Sequence, residues 1–108
     1  MIEQVAIVQP GENLDASKSQ EFREEITSLL ESGSKTILVD FQDVKFMDSS
    51  GLGALVLSFK TLRAAERKLV ICSINEQVRI LFELTGMDKV FEIFANRDEF
   101  HKTLLSST

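Results

Sequence analysis

Residues 36–59 hold the sequence feature that most constrains the fold, an apolar run followed by a segment rich in serine and glycine. The apolar run, Ile37-Leu38-Val39, is typical of a buried strand. The later segment is Asp48-Ser49-Ser50-Gly51-Leu52-Gly53. Apolar residues then recur at helical spacing, and we expect them to face a sheet: Leu52, Leu55, Val56, Phe59 and Leu62. The pattern predicts a strand, a loop and then a helix N-terminus, where unbonded N–H groups and the positive end of the helix dipole lie.

Strands and helices are predicted to alternate along the rest of the chain. The predicted strands are Val5–Val8, Thr36–Phe41, Leu69–Cys72 and Val90–Phe94, and a very short strand at Glu12–Leu14 is also compatible with the sequence. Three further helices are expected, one capped by Asp15 or Ser17, one from near Asn75 to Gly86, and one capped by Asn96. This order predicts an α/β fold, with a small, mostly parallel sheet of four to five strands flanked by about four helices. The length predicts a single domain, residues 1–108.

Composition and charge argue against several classes of function. The formal net charge of −5 does not suit a nucleic-acid-binding protein or one that binds an anionic membrane surface. No apolar run approaches the roughly 20 residues of a membrane span, and residues 1–4 lack the pattern of a secretory signal. Cys72 is the single cysteine, so no internal disulfide can form, which fits a cytoplasmic protein.

The residues also give little support for an enzyme. The order Ser-Ser-Gly-Leu-Gly is not the Gly-x-Ser-x-Gly of a nucleophile elbow, and the only histidine, His101, is expected on the surface of the last helix. One Gly-x-Gly lacks the third glycine of a dinucleotide fingerprint. Asp40, Asp43 and Asp48 could gather near the end of a strand and hold a cation, or Asp40 could accept phosphate as in a receiver domain. The acidic pair that receiver domains carry after their first strand is missing, however. We therefore expect no catalytic residue, no metal and no cofactor.

Two serines and two glycines at the predicted helix start leave alternatives open. Capping explains one serine and leaves the other hydroxyl free. The sequence alone does not say which is which. Gly51 and Gly53 either allow close packing of the helix start or allow another molecule to approach it closely.

The octapeptide Phe46-Met47-Asp48-Ser49-Ser50-Gly51-Leu52-Gly53 resembles the signature of the STAS family, and in particular that of the bacterial anti-sigma-factor antagonists. The length, the strand–helix order and the segment 84–91 fit this resemblance. It implies a STAS fold and a protein that is not an enzyme. It also implies that an anti-sigma factor with serine kinase activity binds this chain and phosphorylates Ser50, and that a metal-dependent serine phosphatase removes the phosphate. Ser49 would then be the N-cap.

The resemblance also suggests where a partner would bind. The expected partner-binding residues lie at the helix start and on the acidic face of the first helix: Asp48, Ser49, Ser50, Gly51, Leu52, Gly53, Glu21 and Glu24. Glu25 belongs to the same acidic face, and a merely solvated face would look no different. An alternative is a constitutive interaction module, such as a scaffold subunit of a larger signalling or lipid-transport complex, because STAS-like domains also fill such roles.

Overall fold

A four-stranded parallel sheet forms the centre of the molecule, seen in a computed structural model that describes residues 5–106. The elements in chain order are β1 (Val5–Val8), β2 (Asn13–Leu14), α1 (Ala16–Glu31), β3 (Thr36–Asp40), β4 (Phe46–Met47), α2 (Ser49–Ala64), β5 (Lys68–Cys72), α3 (Glu76–Thr85), β6 (Glu92–Phe94) and α4 (Arg97–Ser106). The main sheet has the order β1-β3-β5-β6. The predicted α/β fold is therefore confirmed, whereas the expectation for residues 1–4 lies outside the described residues.

Strand β3 lies in the middle of this sheet, and all five of its residues are buried. It pairs with β1 on one side, with Val8 opposite Val39, and with β5 on the other, with Asp40 opposite Cys72. A parallel strand covered on both faces needs apolar side chains on both sides, which explains the uninterrupted run Ile37-Leu38-Val39.

The two faces of the sheet have separate apolar layers, because successive side chains of a strand point to opposite faces. The larger layer joins the sheet to α1, α2 and α3, with Phe22, Ile26, Leu55 and Phe82 among its buried members. The smaller layer includes Cys72 and Phe100 and places α4 on the other face. Phe59, expected to be buried, is only partly so, and its ring stands edge-on to that of Phe91 with centroids 5.3 Å apart.

A second, two-stranded parallel sheet pairs β2 with β4, Asn13 opposite Phe46 and Leu14 opposite Met47. The sequence analysis allowed for β2 but predicted that residues 46–47 lie in a loop, whereas they form β4. A two-residue strand contains no periodicity that a sequence pattern could reveal. This small sheet sets the position of α2, because β4 ends one residue before the helix cap.

The last strand begins later than predicted. Gly86 ends α3 with φ of 75°, and a single 3-10 turn follows at Met87–Lys89. The N–H groups of Val90 and Phe91 donate to the Met87 carbonyl and so are not available to the sheet. Strand β6 therefore starts at Glu92 rather than at Val90. None of the helices within residues 5–106 combines the length and apolar character needed to cross a membrane.

Candidate functional site

Asp48, and not Ser49, is the N-cap of α2. Its backbone is extended, and its Oδ1 accepts a hydrogen bond of 2.9 Å from the Gly51 N–H. The prediction of Ser49 as N-cap is therefore wrong. Aspartate and serine cap helices about equally well. The extended backbone at Asp48 places its carboxylate over the first turn, so the cap lies one residue earlier than predicted.

Ser49 and Ser50 become the first two residues of the helix as a result. Both are exposed, and neither hydroxyl forms a hydrogen bond within the described part of the chain. Capping thus occupies neither serine. The hydroxyls of both residues are accessible at the positive end of the helix dipole.

The helix start also has unpaired backbone donors. The Asp48 N–H donates to the Leu14 carbonyl at 3.3 Å, and the Gly51 N–H is taken by the Asp48 side chain. The N–H groups of Ser49 and Ser50 have no acceptor in residues 5–106. A negatively charged group attached to either serine would therefore meet both unpaired N–H groups and a favourable dipole.

Gly51 and Gly53 have different roles. A Cβ atom on Gly51 would lie 1.9 Å from the carbonyl oxygen of Leu14, so close packing of α2 against β2 requires glycine there. A Cβ atom on Gly53 would have no atom within 4 Å, and Gly53 is exposed. Of the two alternatives left open by the sequence, close packing applies to Gly51. Gly53 leaves open space on the surface.

Side chains from two other helices hold this region in place. The Ser19 hydroxyl on α1 lies 2.8 Å from the Asp15 carbonyl and 3.2 Å from the Ser50 carbonyl, so its single proton bonds one or the other. On α3, the Gln77 amide accepts from the Met47 N–H at 3.0 Å and donates to the Met47 carbonyl at 2.8 Å. Sequence analysis missed both residues, because partners 30 or 31 positions apart leave no local pattern.

Ser50, Gly53 and Leu57 lie on one exposed strip of α2, since residues three and four apart are neighbours on a helix surface. Leu57 is 47% exposed, although it is a large apolar side chain. It was also missed by the sequence analysis. The available signal was that Leu57 falls outside the core-facing set of apolar residues on the same helix. Leu52, in contrast, is buried and packs into the hydrophobic core beneath the first turn of α2.

The acidic residues of α1 lie beside two different grooves. Glu24 borders a groove of about 580 Å³ between α1 and α2, which Ser19 also lines. Glu21 borders a smaller groove with Gln9 and Pro10 and pairs with Lys18 at 3.8 Å. Glu24 is therefore on the side of α1 that continues towards Ser50, whereas Glu21 is not.

The three aspartates weighed as a cation site serve separate purposes. Asp40 is 1% exposed, accepts from the Gln42 N–H at 2.9 Å and pairs with Arg97 Nε at 2.6 Å. Burial raises the pKa of the Asp40 carboxyl, but the Gln42 amide and the Arg97 guanidinium outweigh burial and hold that pKa below its usual value. Asp43 is exposed and Asp48 caps α2. Within residues 5–106 no three His, Cys, Asp or Glu side chains are grouped as metal ligands would be.

This chain resembles proteins of a known family in both sequence and structure. Residues 1–100 match the family model of the STAS domain. The anti-sigma-B factor antagonist of Staphylococcus aureus is 31% identical over 86 residues, which are 80% of each protein.

Two solved structures share the fold. The crystal structure of protein TM1081 from Thermotoga maritima superposes with a TM-score of 0.87 at 24% identity, over 96% of this chain and 90% of that one. The anti-sigma factor antagonist SpoIIAA of Bacillus, in its phosphorylated form, superposes with a TM-score of 0.71 at 18% identity, over 95% and 94%. With the fold, the octapeptide and the family model in agreement, the chain belongs to the STAS-domain family.

Proposed function

We propose that this protein is an anti-sigma factor antagonist. It binds an anti-sigma factor that is also an ATP-dependent serine kinase, and the sigma factor is released as a result. The name of the Staphylococcus aureus relative, with 31% identity over 80% of both proteins, supports the antagonist function. The kinase, the phosphatase and a cytoplasmic location are what the resemblance to this group implies. The protein itself performs no catalysis in this scheme.

The observation that carries the proposal is the position of Ser50. Its hydroxyl is exposed on the first turn of α2 and has no hydrogen-bond partner in the described chain, so a kinase could reach it without unfolding the helix. It shares an exposed strip with Gly53, which leaves open space, and with the exposed apolar side chain of Leu57. An accessible apolar residue beside open space offers a partner a surface that it can cover closely.

Phosphorylation of Ser50 would change this strip strongly. A phosphate adds about −1.5 to −2 charges and the bulk of three oxygens. A partner that packs against Gly53 and Leu57 would have to bury that charge or move away. Because desolvating an unpaired charge is costly, the modified protein would release the partner.

The same phosphate is compatible with the folded protein. The unpaired N–H groups of Ser49 and Ser50 and the dipole of a 16-residue helix favour a negative charge at this end. The carboxylate of Asp48 repels it, but this carboxylate already bonds the Gly51 N–H. The switch would therefore act on binding rather than on folding. A metal-dependent serine phosphatase would return the protein to its binding form.

Phosphopeptide mapping tests the proposal. The purified protein is incubated with ATP and a serine kinase that co-purifies with it from the source cell, and the intact mass and the modified peptide are measured. We expect one added phosphate on Ser50, none on the Ser50→Ala variant, and normal modification of Ser49→Ala. Ser49 is a suitable control, since it is the adjacent exposed hydroxyl and does not cap the helix.

Two results would contradict the proposal in different ways. Phosphate on Ser49 would show that Ser50 is not the switch residue. An unmodified protein that stays in a stable complex with its partners would instead favour the constitutive scaffold that the sequence left as the alternative.

A further inference from the structure

The end of α2 opposite Ser50 carries a group of basic side chains without counter-ions. Lys60, Arg63, Arg67 and Lys68 fall within nine residues, and none of them forms an ion pair within residues 5–106. This is unusual in a chain of formal charge −5, where acidic groups outnumber basic ones. Arg63 is about 20 Å from Ser50 along the helix, at 1.5 Å per residue. The group is therefore remote from the phosphorylation site.

Three of these residues line a pocket. Arg63, Arg67 and Lys68 line an open pocket of about 240 Å³ between the end of α2, the start of β5 and the segment around the start of β6. Its remaining wall includes the apolar side chains of Phe59 and Val90. The pocket thus joins a cationic rim to an apolar wall.

Arg67 contributes a buried donor that nothing in the described chain satisfies. Its Nε is buried and has no hydrogen-bond acceptor. A buried polar group without a partner is rare in folded proteins, and a bound ion or water often satisfies such a group. The preceding residue, Glu66, adopts a left-handed conformation with φ of 61°, which is unfavourable for a residue with a side chain. This turn sets the position of Arg67 directly after the helix, where the backbone N–H of Arg67 donates to the Leu62 carbonyl at 2.8 Å.

Neutralisation of the helix dipole does not account for this arrangement. Basic residues are favoured at a helix C-terminus, where their side chains bond the last carbonyls. The Nε of Arg67 bonds no carbonyl, however. Glu92 also lines the pocket, yet it forms no ion pair with any of the three cations. The three cations outweigh the single carboxylate of Glu92, so the pocket has a net positive charge. This charge is larger than the roughly half negative charge that the helix dipole places at this end of α2.

We propose that this pocket, defined by Arg63, Arg67, Lys68, Phe59 and Val90, is a binding site for a small organic carboxylate with an apolar body. The carboxylate pairs with the guanidinium groups at the pocket rim, since a planar guanidinium matches a carboxylate well. The Arg67 Nε, which is buried in the free protein, gains an acceptor when its side chain turns towards the ligand. The apolar body covers Phe59 and the exposed side chain of Val90. The site does not depend on the proposed switch at Ser50.

Nuclear magnetic resonance titration of the whole protein tests the site, with the Arg67 Nε–Hε signal as a direct reporter. The probes are benzoate, its neutral analogue benzamide, and inorganic phosphate, all at constant ionic strength. We expect benzoate to shift the Arg67 signal in a saturable manner, with a dissociation constant on the order of millimolar for so small a ligand. Benzamide should not bind, and phosphate should bind more weakly because it has no apolar body.

Variants separate the pocket from general electrostatics. Arg67→Met should weaken benzoate binding at least about tenfold, because a charged hydrogen bond is lost. It should not lower the unfolding midpoint, since an unsatisfied donor is removed and the length of the side chain is kept. Arg23→Met, on α1 and outside this pocket, is the matched control and should bind benzoate as the unmodified protein does. Glu92→Gln should tighten binding severalfold, because a repelling charge is removed.

Each alternative result overturns the proposal. Equal binding of benzamide and benzoate would show that charge is not recognised, and tighter binding of phosphate would show that the apolar wall is not used. An equal loss in Arg23→Met would reduce the effect to net charge. A destabilised Glu92→Gln variant without tighter binding would identify Glu92 as the internal partner of the cations.

Discussion

The contrast between Gly51 and Gly53 gives the most specific test of how the site is built. Both glycines lie in the first turns of α2, and alanine raises helix propensity at either position by about 1 kcal/mol. At Gly51 the added Cβ would lie 1.9 Å from the Leu14 carbonyl oxygen, so α2 and β2 would have to separate by about 1.5 Å to reach ordinary contact. At Gly53 the same atom would meet nothing within 4 Å.

The expected free energies follow from this difference. Separation of α2 from β2 would break the 3.3 Å hydrogen bond from the Asp48 N–H to the Leu14 carbonyl, worth about 1 kcal/mol. Overpacking adds about 1–3 kcal/mol. After the gain in helix propensity, Gly51→Ala should lose about 1–3 kcal/mol of stability. Gly53→Ala should gain about 0.5–1 kcal/mol.

Urea denaturation of the two variants measures both effects in the same background. For a chain of this size each kcal/mol corresponds to a melting-temperature change of about 4 °C or more, so thermal unfolding should also separate them. The reasoning would be refuted if Gly51→Ala were as stable as Gly53→Ala. In that case the contact between β2 and α2 would not set the position of Ser50.

Three further predictions concern the exposed strip, the buried ion pair and the core. Leu57→Lys should weaken partner binding and leave stability within about 0.5 kcal/mol. Ile80→Lys, which replaces a similarly exposed apolar residue on α3, should change neither binding nor stability; calorimetric titration and urea denaturation measure the two quantities. Asp40→Asn should cost about 1–3 kcal/mol at neutral pH. Because the pKa of Asp40 is lower in the folded than in the unfolded state, its contribution is complete above about pH 4 and is lost as the pH falls further, and the variant should lack this part of the acid sensitivity. Leu55→Ala should lose about 2–5 kcal/mol, and an unchanged denaturation midpoint would show that the core-facing side of α2 is misassigned.

Local patterns in the sequence predicted most of the fold. The buried run of β3, the start of α3 near Asn75 and its end at Gly86 each depend on residues close together in the chain, and the structure confirms all three. The Asn96 cap of α4 is confirmed in the same way by its 2.9 Å bond from the Glu99 N–H. Such signals need only a few neighbouring residues and a known periodicity.

The candidate site depended more on contacts that no local pattern contains. The small sheet has strands of two residues, too short for periodicity. The contact between the Ser19 hydroxyl and the Ser50 carbonyl spans 31 residues, and the Asp40–Arg97 pair spans 57. The choice of N-cap failed for another reason, since Asp48 and Ser49 are both good capping residues and only the backbone conformation separates them. The position of the α2 start was therefore predictable, but the geometry around it was not.

Binding of the partner kinase to the protein with and without phosphate on Ser50 tests the central claim most directly. Isothermal titration with a non-hydrolysable ATP analogue compares the unmodified protein, its phosphorylated form, Ser50→Ala and Ser50→Asp, with urea denaturation of each as the folding control. The account predicts tight binding by the unmodified protein and Ser50→Ala, at least about tenfold weaker binding by the phosphorylated form, and an intermediate loss for Ser50→Asp, whose charge is smaller. All four should be similarly stable. Equal affinity of the phosphorylated and unmodified forms, or loss of binding only through unfolding, would contradict it.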